Sequence, residues 1–511
     1  MDKNSLQNDV IDVCLRRGIV FPTAEIYNSY AGFYEYGPVG VKLRENLMVL
    51  WQQTFINSED NVHEISGSTI MPEAVFDASG HLDGFHDPLT QCNKCNSMFR
   101  IDHLIEELGL EILDENSFNE QLKNNEIICP NCPGVLSEPR NFNMMFKTNV
   151  GPLEGNTGYL RPETAQNIFI NFRRIAHSMR ASLPFGVAQI GRAYRNEISP
   201  RNFLMRLREF EQLELEMFVD PDEINNHPNW VEVENIEINL LTRQNQLKNE
   251  KPIKITIKEA FDTKLIPNQY IGYYLALETM FMESIGISNN LFHFRELKEN
   301  EVAHYSSANY DLEIVFPFGV FEVIGLAYRT DYDLKKHSEK SGAKLQINQP
   351  GKGNIVPHVI EPSAGLSRLI YAVMLSSYVY GEPNSDRDWN WFNFTGAMAP
   401  WEAAILPLMK KDGMSEGAKE LYWQLKDYGL EVIYDESGKI GKRYARNDEI
   451  GVKYCITYDY DSLEKDLITI RDRDTMHQVQ IKIDLLPDLI RQLILDILTW
   501  SDLENEFGRF K

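Results

Sequence analysis

Residues 195 to 218 read RNEISPRNFLMRLREFEQLELEMF and crowd Arg195, Arg206 and Arg208 against Glu197, Glu209, Glu211, Glu214 and Glu216, with Phe210 between them. A solvated hairpin with cross-strand ion pairs is the simplest account of so many charges. Parity argues for more. Alternate residues of a strand face opposite ways, so the odd positions Leu213, Leu215, Met217 and Val219 mark a core face. The even positions Arg206, Arg208, Phe210, Gln212 and Glu214 then share the other face. Leu204, Leu207, Phe210 and Leu213 also recur every third residue, so a helix stays open as the alternative. As a hairpin turning at SPRN, the segment offers guanidinium groups for phosphate, an aromatic plate for a base and carboxylates for an ammonium.

Two other segments carry matching chemistry. YLRPETAQNIF places Glu163 just before a helix, where a carboxylate either meets an ammonium or caps the helix. PHVIEPSAGLSRL runs from a strand through Glu361 into a helix near Ser363, with Arg368 a turn inside. Its small residues Ser363, Ala364 and Gly365 let a ligand approach the backbone. Cys92 and Cys95 in QCNKCNSMFR and Cys129 and Cys132 in ICPNCPG form two CxxC knuckles. Four thiolates so spaced suit tetrahedral zinc; a lone redox pair needs no twin.

The elements behind these residues divide the chain. With 511 residues the chain is too long for one core. Its start is polar and acidic, and no apolar stretch reaches membrane-spanning length, so a cytoplasmic protein with no membrane partner is expected. Six cysteines are too few for a disulfide framework and suit a reduced compartment. The formal charge of -24 opposes contact with nucleic acid except through local patches. Lys439, Lys442, Arg443 and Arg446 in SGKIGKRYARN form one such patch, or an ordinary basic helix face. Residues 41–56 and 164–180 show helical periodicity. Residues 381–400 read as a linker, and the tail behind it as alternating strands and helices.

Together RNEISPRNF with REFEQLE and EPSAGLSRL resemble motifs 2 and 3 of a class II aminoacyl-tRNA synthetase. With YEYGPVG, FNMMFKT, YLRPETAQ, QIGRAYRNE and RTDYDL, the chain resembles the homodimeric type of glycyl-tRNA synthetase over nearly its full length. The resemblance implies an α+β fold, an antiparallel-sheet catalytic domain with a zinc-ribbon insertion and a C-terminal α/β anticodon-binding domain. The expected boundaries are 1–88 for the first catalytic part with motif 1, 89–138 for the ribbon and 139–219 for motif 2. A mostly helical insertion at 220–300, motif 3 within 301–380, the linker and 401–511 for the anticodon-binding domain complete them.

The implied activity is attachment of glycine to tRNA(Gly) through glycyl adenylate, with ATP as substrate, Mg2+ on its phosphates, structural Zn2+ and a homodimer. Implied nucleotide contacts are Arg195, Asn196, Glu197, Met205, Arg206, Leu207, Arg208, Phe210, Glu322, Val323, Gly365 and Arg368. Arg195 would meet the α-phosphate, Phe210 and Arg368 would sandwich adenine, and Glu322 would hold magnesium. Implied glycine contacts are Arg100, Glu163, Phe210, Glu211, Gln212, Glu214, Glu361, Ser363 and Gly365. The rival readings are a prolyl or threonyl synthetase and a non-catalytic, synthetase-derived nucleic-acid-binding subunit.

Overall fold

The structure, a computed structural model, describes residues 5–107, 118–124, 127–152, 155–200, 202–303, 305–316, 318–383 and 385–510. Nine strands form its main sheet: β1 (Val62–Ile65), β2 (Phe185–Tyr194), β3 (Glu209–Val219), β4 (Glu237–Leu241), β5 (Ile253–Thr256), β6 (Phe292–Glu296), β7 (Ala308–Phe316), β8 (Gly319–Thr330) and β9 (His358–Gly365). Their spatial order is β5-β4-β6-β7-β8-β9-β3-β2-β1. All neighbours run antiparallel except β1 with β2 and β4 with β6.

One face of this sheet is the core. The helices α1 (Ser5–Arg16), α2 (Pro38–Phe55), α3 (Ala165–Met179), α4 (Gln269–Ser284), α5 (Tyr332–Ser341) and α6 (Leu366–Ser377) flank it. Pro38 opens α2 where its missing N–H costs nothing, and Leu43, Leu47, Trp51 and Phe55 then fall on its buried side. They join α4, α6 and the odd residues Leu213, Leu215, Met217 and Val219 of β3 in one cluster. The parity reading therefore holds for β3. On the opposite face, α3 and α5 cover only one end of the sheet, over Phe185, Val187 and Phe218. The rest of that face is left to the cavity described below.

Residues 220–300 carry more helix than strand, but they are part of the main sheet: they supply β4, β5 and β6, while α4 is buried along most of its length. Their strands are too short to show a two-residue period in sequence. Residues 381–400 lead into the C-terminal unit as a packed segment, since Trp391–Phe392 pairs with Tyr378–Val379 and Phe392, Phe394 and Met398 are buried.

The C-terminal unit follows the sequence reading closely. Strands β10 (Ala403–Pro407), β11 (Val432–Tyr434), β12 (Tyr454–Tyr458), β13 (Leu467–Asp472) and β14 (Gln478–Lys482) take the order β11-β10-β12-β13-β14. Helices α7 (Met414–Asp427), α8 (Ile440–Glu449) and α9 (Leu486–Ile494) alternate with them. No helix among the described residues is long and apolar enough to cross a membrane.

Buried charge fastens this unit to the rest. Asp448 is fully buried and accepts from Arg471 at 2.9 and 3.0 Å and from Trp389 Nε1 at 3.1 Å, with Arg387 at 3.2 Å. Arg473 donates to Asn393 Oδ1, Phe394 O and Gly451 O at 2.8, 2.7 and 2.9 Å. Glu449 pairs with Arg16 at 2.6 Å and also with Arg17, joining α8 to α1. Asp448→Ala strands buried guanidinium groups and should cost on the order of 3–5 kcal/mol. Chemical denaturation of the full chain measures this; a loss under about 1 kcal/mol contradicts the fastening role.

Candidate active site

Register brings the predicted residues together. Gln189 pairs with Glu214, Glu214 with Ser363, Ser363 with Gly325 and Gly325 with Asp311. Paired residues of neighbouring strands project the same way, so this row runs across β2, β3, β9, β8 and β7 on one face. Above it lies a cavity of about 340 Å³. Glu163, Arg195, Glu197, Met205, Arg206, Leu207, Phe210, Gln212, Glu214, Glu322, Val323, Glu361, Ser363, Gly365 and Arg368 all line it.

Glu214 organises one end. One of its oxygens accepts from Gln212 Nε2 at 2.8 Å and Ser363 Oγ at 2.9 Å. The other accepts from Thr164 N at 2.9 Å and from Thr164 Oγ1. Glu163 follows the strand Asn156–Leu160 and sits just before α3, the turn its helix-start sequence calls for. It accepts from Gln166 Nε2 at 2.8 Å and lies 3.4 Å from His81 Nε2. Arg329 is buried beneath, donating to Asp333 at 2.8 and 2.9 Å and to Glu361 at 2.9 Å, with its guanidinium 3.9 Å from the Tyr305 ring centre.

Carboxylates outnumber cations here, and their proton affinities show it. Burial, countered in part by Arg329 and reinforced by Glu214 and Glu163, pushes Glu361 up to about 8. Burial and the neighbouring Glu163 likewise raise Glu214. Burial acts on Glu163 in the same direction, but His81 and Arg329 outweigh it and hold its carboxyl well below the usual range. Glu216, fully buried behind Glu214, is raised well above the ordinary value by burial and then Glu361.

At the other end the groups suit a nucleotide. Arg195 Nε donates to Pro162 O at 3.2 Å, and its guanidinium lies 5.3 Å from the Phe210 ring and 5.5 Å from the Phe85 ring. Arg368 donates to Met205 O at 3.0 Å and to Glu322 through its carbonyl and carboxylate, at 3.1 and 3.2 Å. A β-bulge makes Glu322 available. Asp311 pairs with Gly325 but Glu313 with Glu322, so β8 carries one extra residue and Glu322 and Gly325 face the cavity together. A Cβ at Gly325 would lie 3.7 Å from Glu322 Oε1 and 3.9 Å from Asp311 Oδ1. Burial and then Glu322 push Asp311 up to about 7. Two carboxylates beside a position with no side chain fit a hard divalent cation.

Other predicted residues lie elsewhere. Glu211 faces the opposite side of β3 and pairs with Arg44 at 2.5 Å. Arg208 precedes β3 and donates to the carbonyls of Glu197 and Ala31, which holds the loop rather than a ligand. Arg100 is paired with Asp87 at 2.9 Å and with Asp102, outside the cavity lining. The Asn196 backbone N–H bonds Met144 O, and its side chain does not line the cavity. In the C-terminal unit Arg443 is buried against Pro407 O and Gly438 O, and Arg446 pairs with Asp435. Of the four cations in that basic segment, Lys439 and Lys442 alone are exposed. His81, Asp311 and Tyr305 escaped sequence reading because none sits in a distinctive local pattern; Arg329 lay within RTDYDL.

The knuckles meet as their spacing requires. Cys92 Sγ lies 3.6 Å from Cys132 Sγ, and Cys95 Sγ 3.6 Å from Cys129 Sγ. All four lie within 4.8 Å of one another. Four ligands about 2.3 Å from a central zinc are nearly this far apart. Gly134 leaves them room: a Cβ there would come 2.5 Å from Cys92 Sγ.

Comparison with known proteins agrees with this geometry. The description "tRNA synthetase class II core domain (G, H, P, S and T)" matches residues 147–377, and "Anticodon binding domain" matches 402–493. The chain is 37% identical to the glycine–tRNA ligase of Methanothrix thermoacetophila, covering 96% of this chain and 98% of that protein. The glycine–tRNA ligase of Thermococcus sibiricus is 38% identical, over 94% and 98%. That of Methanocaldococcus jannaschii is 37% identical, over 96% and 99%.

A pH dependence follows from Glu361. Its folded value lies above that of an unfolded glutamate, so the folded state keeps a proton that the unfolded state gives up. Its contribution to stability is complete below about pH 4.5 and is lost as pH rises towards about 8. Urea unfolding across this window should show falling stability, with a shallower fall in Glu361→Gln. Equal slopes in both proteins would contradict the raised value.

Proposed function

The chain belongs to the glycine–tRNA ligases, class II aminoacyl-tRNA synthetases that attach glycine to tRNA, and we propose that both steps of this reaction take place in the cavity above the Gln189–Asp311 row. The single observation that supports this assignment of roles is the row, which brings Glu214, Ser363 and Asp311 to one face beneath a cavity also lined by Arg195, Arg206 and Arg368.

Glycine's ammonium goes to Glu163, Glu361 and Ser363. Because Ser363 donates its proton to Glu214, its lone pairs are left to accept from the ammonium. Glu214 has both oxygens occupied by protein donors and so positions Ser363, Gln212 and Thr164. The glycine carboxylate then points along the cavity towards Arg195. It is already deprotonated, needs no base, and attacks the α-phosphorus in line as the bond to pyrophosphate breaks. Arg195 stabilises charge on the α-phosphate, Arg206 takes the outer phosphates, and adenine lies against Phe210 and Arg368. The terminal ribose hydroxyl of the tRNA then attacks the acyl carbonyl and AMP departs.

Glu322 and Asp311 are the residues that would hold magnesium, which when bound neutralises charge on the leaving phosphates. Cys92, Cys95, Cys129 and Cys132 are the residues that would hold zinc, and four thiolates would serve a structural role and leave it no position for chemistry. Larger amino acids are refused by overlap, so no editing step is needed. A cytoplasmic homodimer is part of this reading. Support for the dimer is β1, an edge strand of the sheet, whose outer side no strand pairs among the described residues.

Glycine-dependent exchange of pyrophosphate into ATP tests the assignment. Arg195→Ala should lower it on the order of 100-fold, the scale of one preorganised donor. Near-normal exchange in that variant, or exchange with alanine or serine equal to that with glycine, would remove the assigned roles. Cys129→Ser should abolish a zinc content of about one per chain in purified protein, measured by atomic emission. Retention of the metal would displace the thiolate site.

A further inference from the structure

Between Glu163 and Glu197 the sequence has no aspartate or glutamate, although the chain carries 75 of them. Arg173, Arg174, Arg180, Arg192, Arg195 and His177 all fall in this run. Arg192 pairs with Glu209 at 2.6 Å, and Arg195 lines the cavity. The remaining four are accounted for by neither.

They form one stripe. The inner face of α3 buries Ala165, Ile168, Phe169, Phe172, Ile175 and Ala176. The outer face presents Ile170, Arg173, Arg174 and His177, at i, i+3, i+4 and i+7, and Arg180 ends it. All are exposed, and no ion pair or side-chain hydrogen bond is found for Arg173, Arg174, His177 or Arg180 among the described residues. Cations near a helix C-terminus gain from its dipole, which accounts for the last turn only; Arg173 and Arg174 lie before it. Arg180 holds a left-handed cap at φ 54°, where glycine is the low-cost residue.

From these observations we infer that the outer face of α3 is a second RNA-binding surface, taking the phosphate backbone of the tRNA whose 3' end enters the cavity. The inference rests on the ligase reading. Charge complementarity selects the occupant: three exposed arginines without an acidic partner, in a stretch of sequence free of acids, suit a polyanion, and a second copy of the same stripe would be repelled. Position supports it as well. Thr164, at the start of α3, bonds Glu214 in the cavity. At about 1.5 Å per residue, Arg173 and Arg180 lie roughly 14 and 24 Å along the helix from that point. A stem adjoining a 3' end held in the cavity passes over this distance.

The test compares two triple variants of the full chain, Arg173→Glu/Arg174→Glu/Arg180→Glu and the corresponding Arg→Gln set. Glycine-dependent pyrophosphate exchange without tRNA should stay within about two-fold of wild type, since none of the three arginines touches the cavity. KM for tRNA in aminoacylation should rise about ten-fold for the glutamate set and less for the glutamine set. The slope of log affinity for tRNA against log salt should become shallower by about one for each phosphate that is no longer neutralised. If wild type fails to charge tRNA, the ligase reading itself falls. If wild type charges tRNA and the glutamine set keeps both KM and salt slope, the α3 surface is overturned while the ligase reading stands. Loss of heparin or protein binding with unchanged KM for tRNA assigns the stripe to another partner and also overturns it.

Discussion

The backbone ladder joining five strands is the constraint on which the site depends. Gln189, Glu214, Ser363, Gly325 and Asp311 are far apart in sequence, yet consecutive pairings place them in one line on one face. A slip of one residue between any two strands would turn a carboxylate into the core and an aliphatic side chain into the cavity. The aliphatic parity of β3 guards against this, because Leu213, Leu215, Met217 and Val219 are buried only in the observed register. Hydrophobic burial on one face thus fixes chemistry on the other.

Charge balance sets a second constraint. Glu163, Glu214, Glu216, Glu361 and Asp333 gather around the buried Arg329. The protein carries this excess as retained protons and as hydrogen bonds to Thr164, Gln212 and Ser363. An incoming ammonium relieves it. On the proposed assignment the smallest amino acid, having no side chain to recognise, is held through the charge that all amino acids share, while the walls exclude the rest.

Much of this was legible in the sequence because it rests on short-range rules. Parity assigned the cavity side of β3, the CxxC spacing gave the four thiolates, and alternating periods gave the C-terminal unit strand by strand. What escaped depends on contacts that no local pattern records. The bulge at β8 lets Glu322 and Gly325, three apart, share a face, so parity alone would separate Glu322 from Asp311. Arg208 falls outside β3 and bonds carbonyls instead of following its alternation. Glu211, the odd-numbered neighbour of Phe210, obeys parity and for that reason faces Arg44 rather than glycine. The strands within 220–300 are four or five residues long and gain their identity from the sheet they extend.

The fastening of the C-terminal unit through Asp448, Arg473 and Glu449 has a geometric corollary. With the intervening segment pinned by Arg387, Phe392 and Phe394, the interval between that unit and the cavity is set by protein bonds, in the manner of a calliper locked at one opening. On the proposed reading, a nucleic acid that reaches both jaws must itself supply any bending.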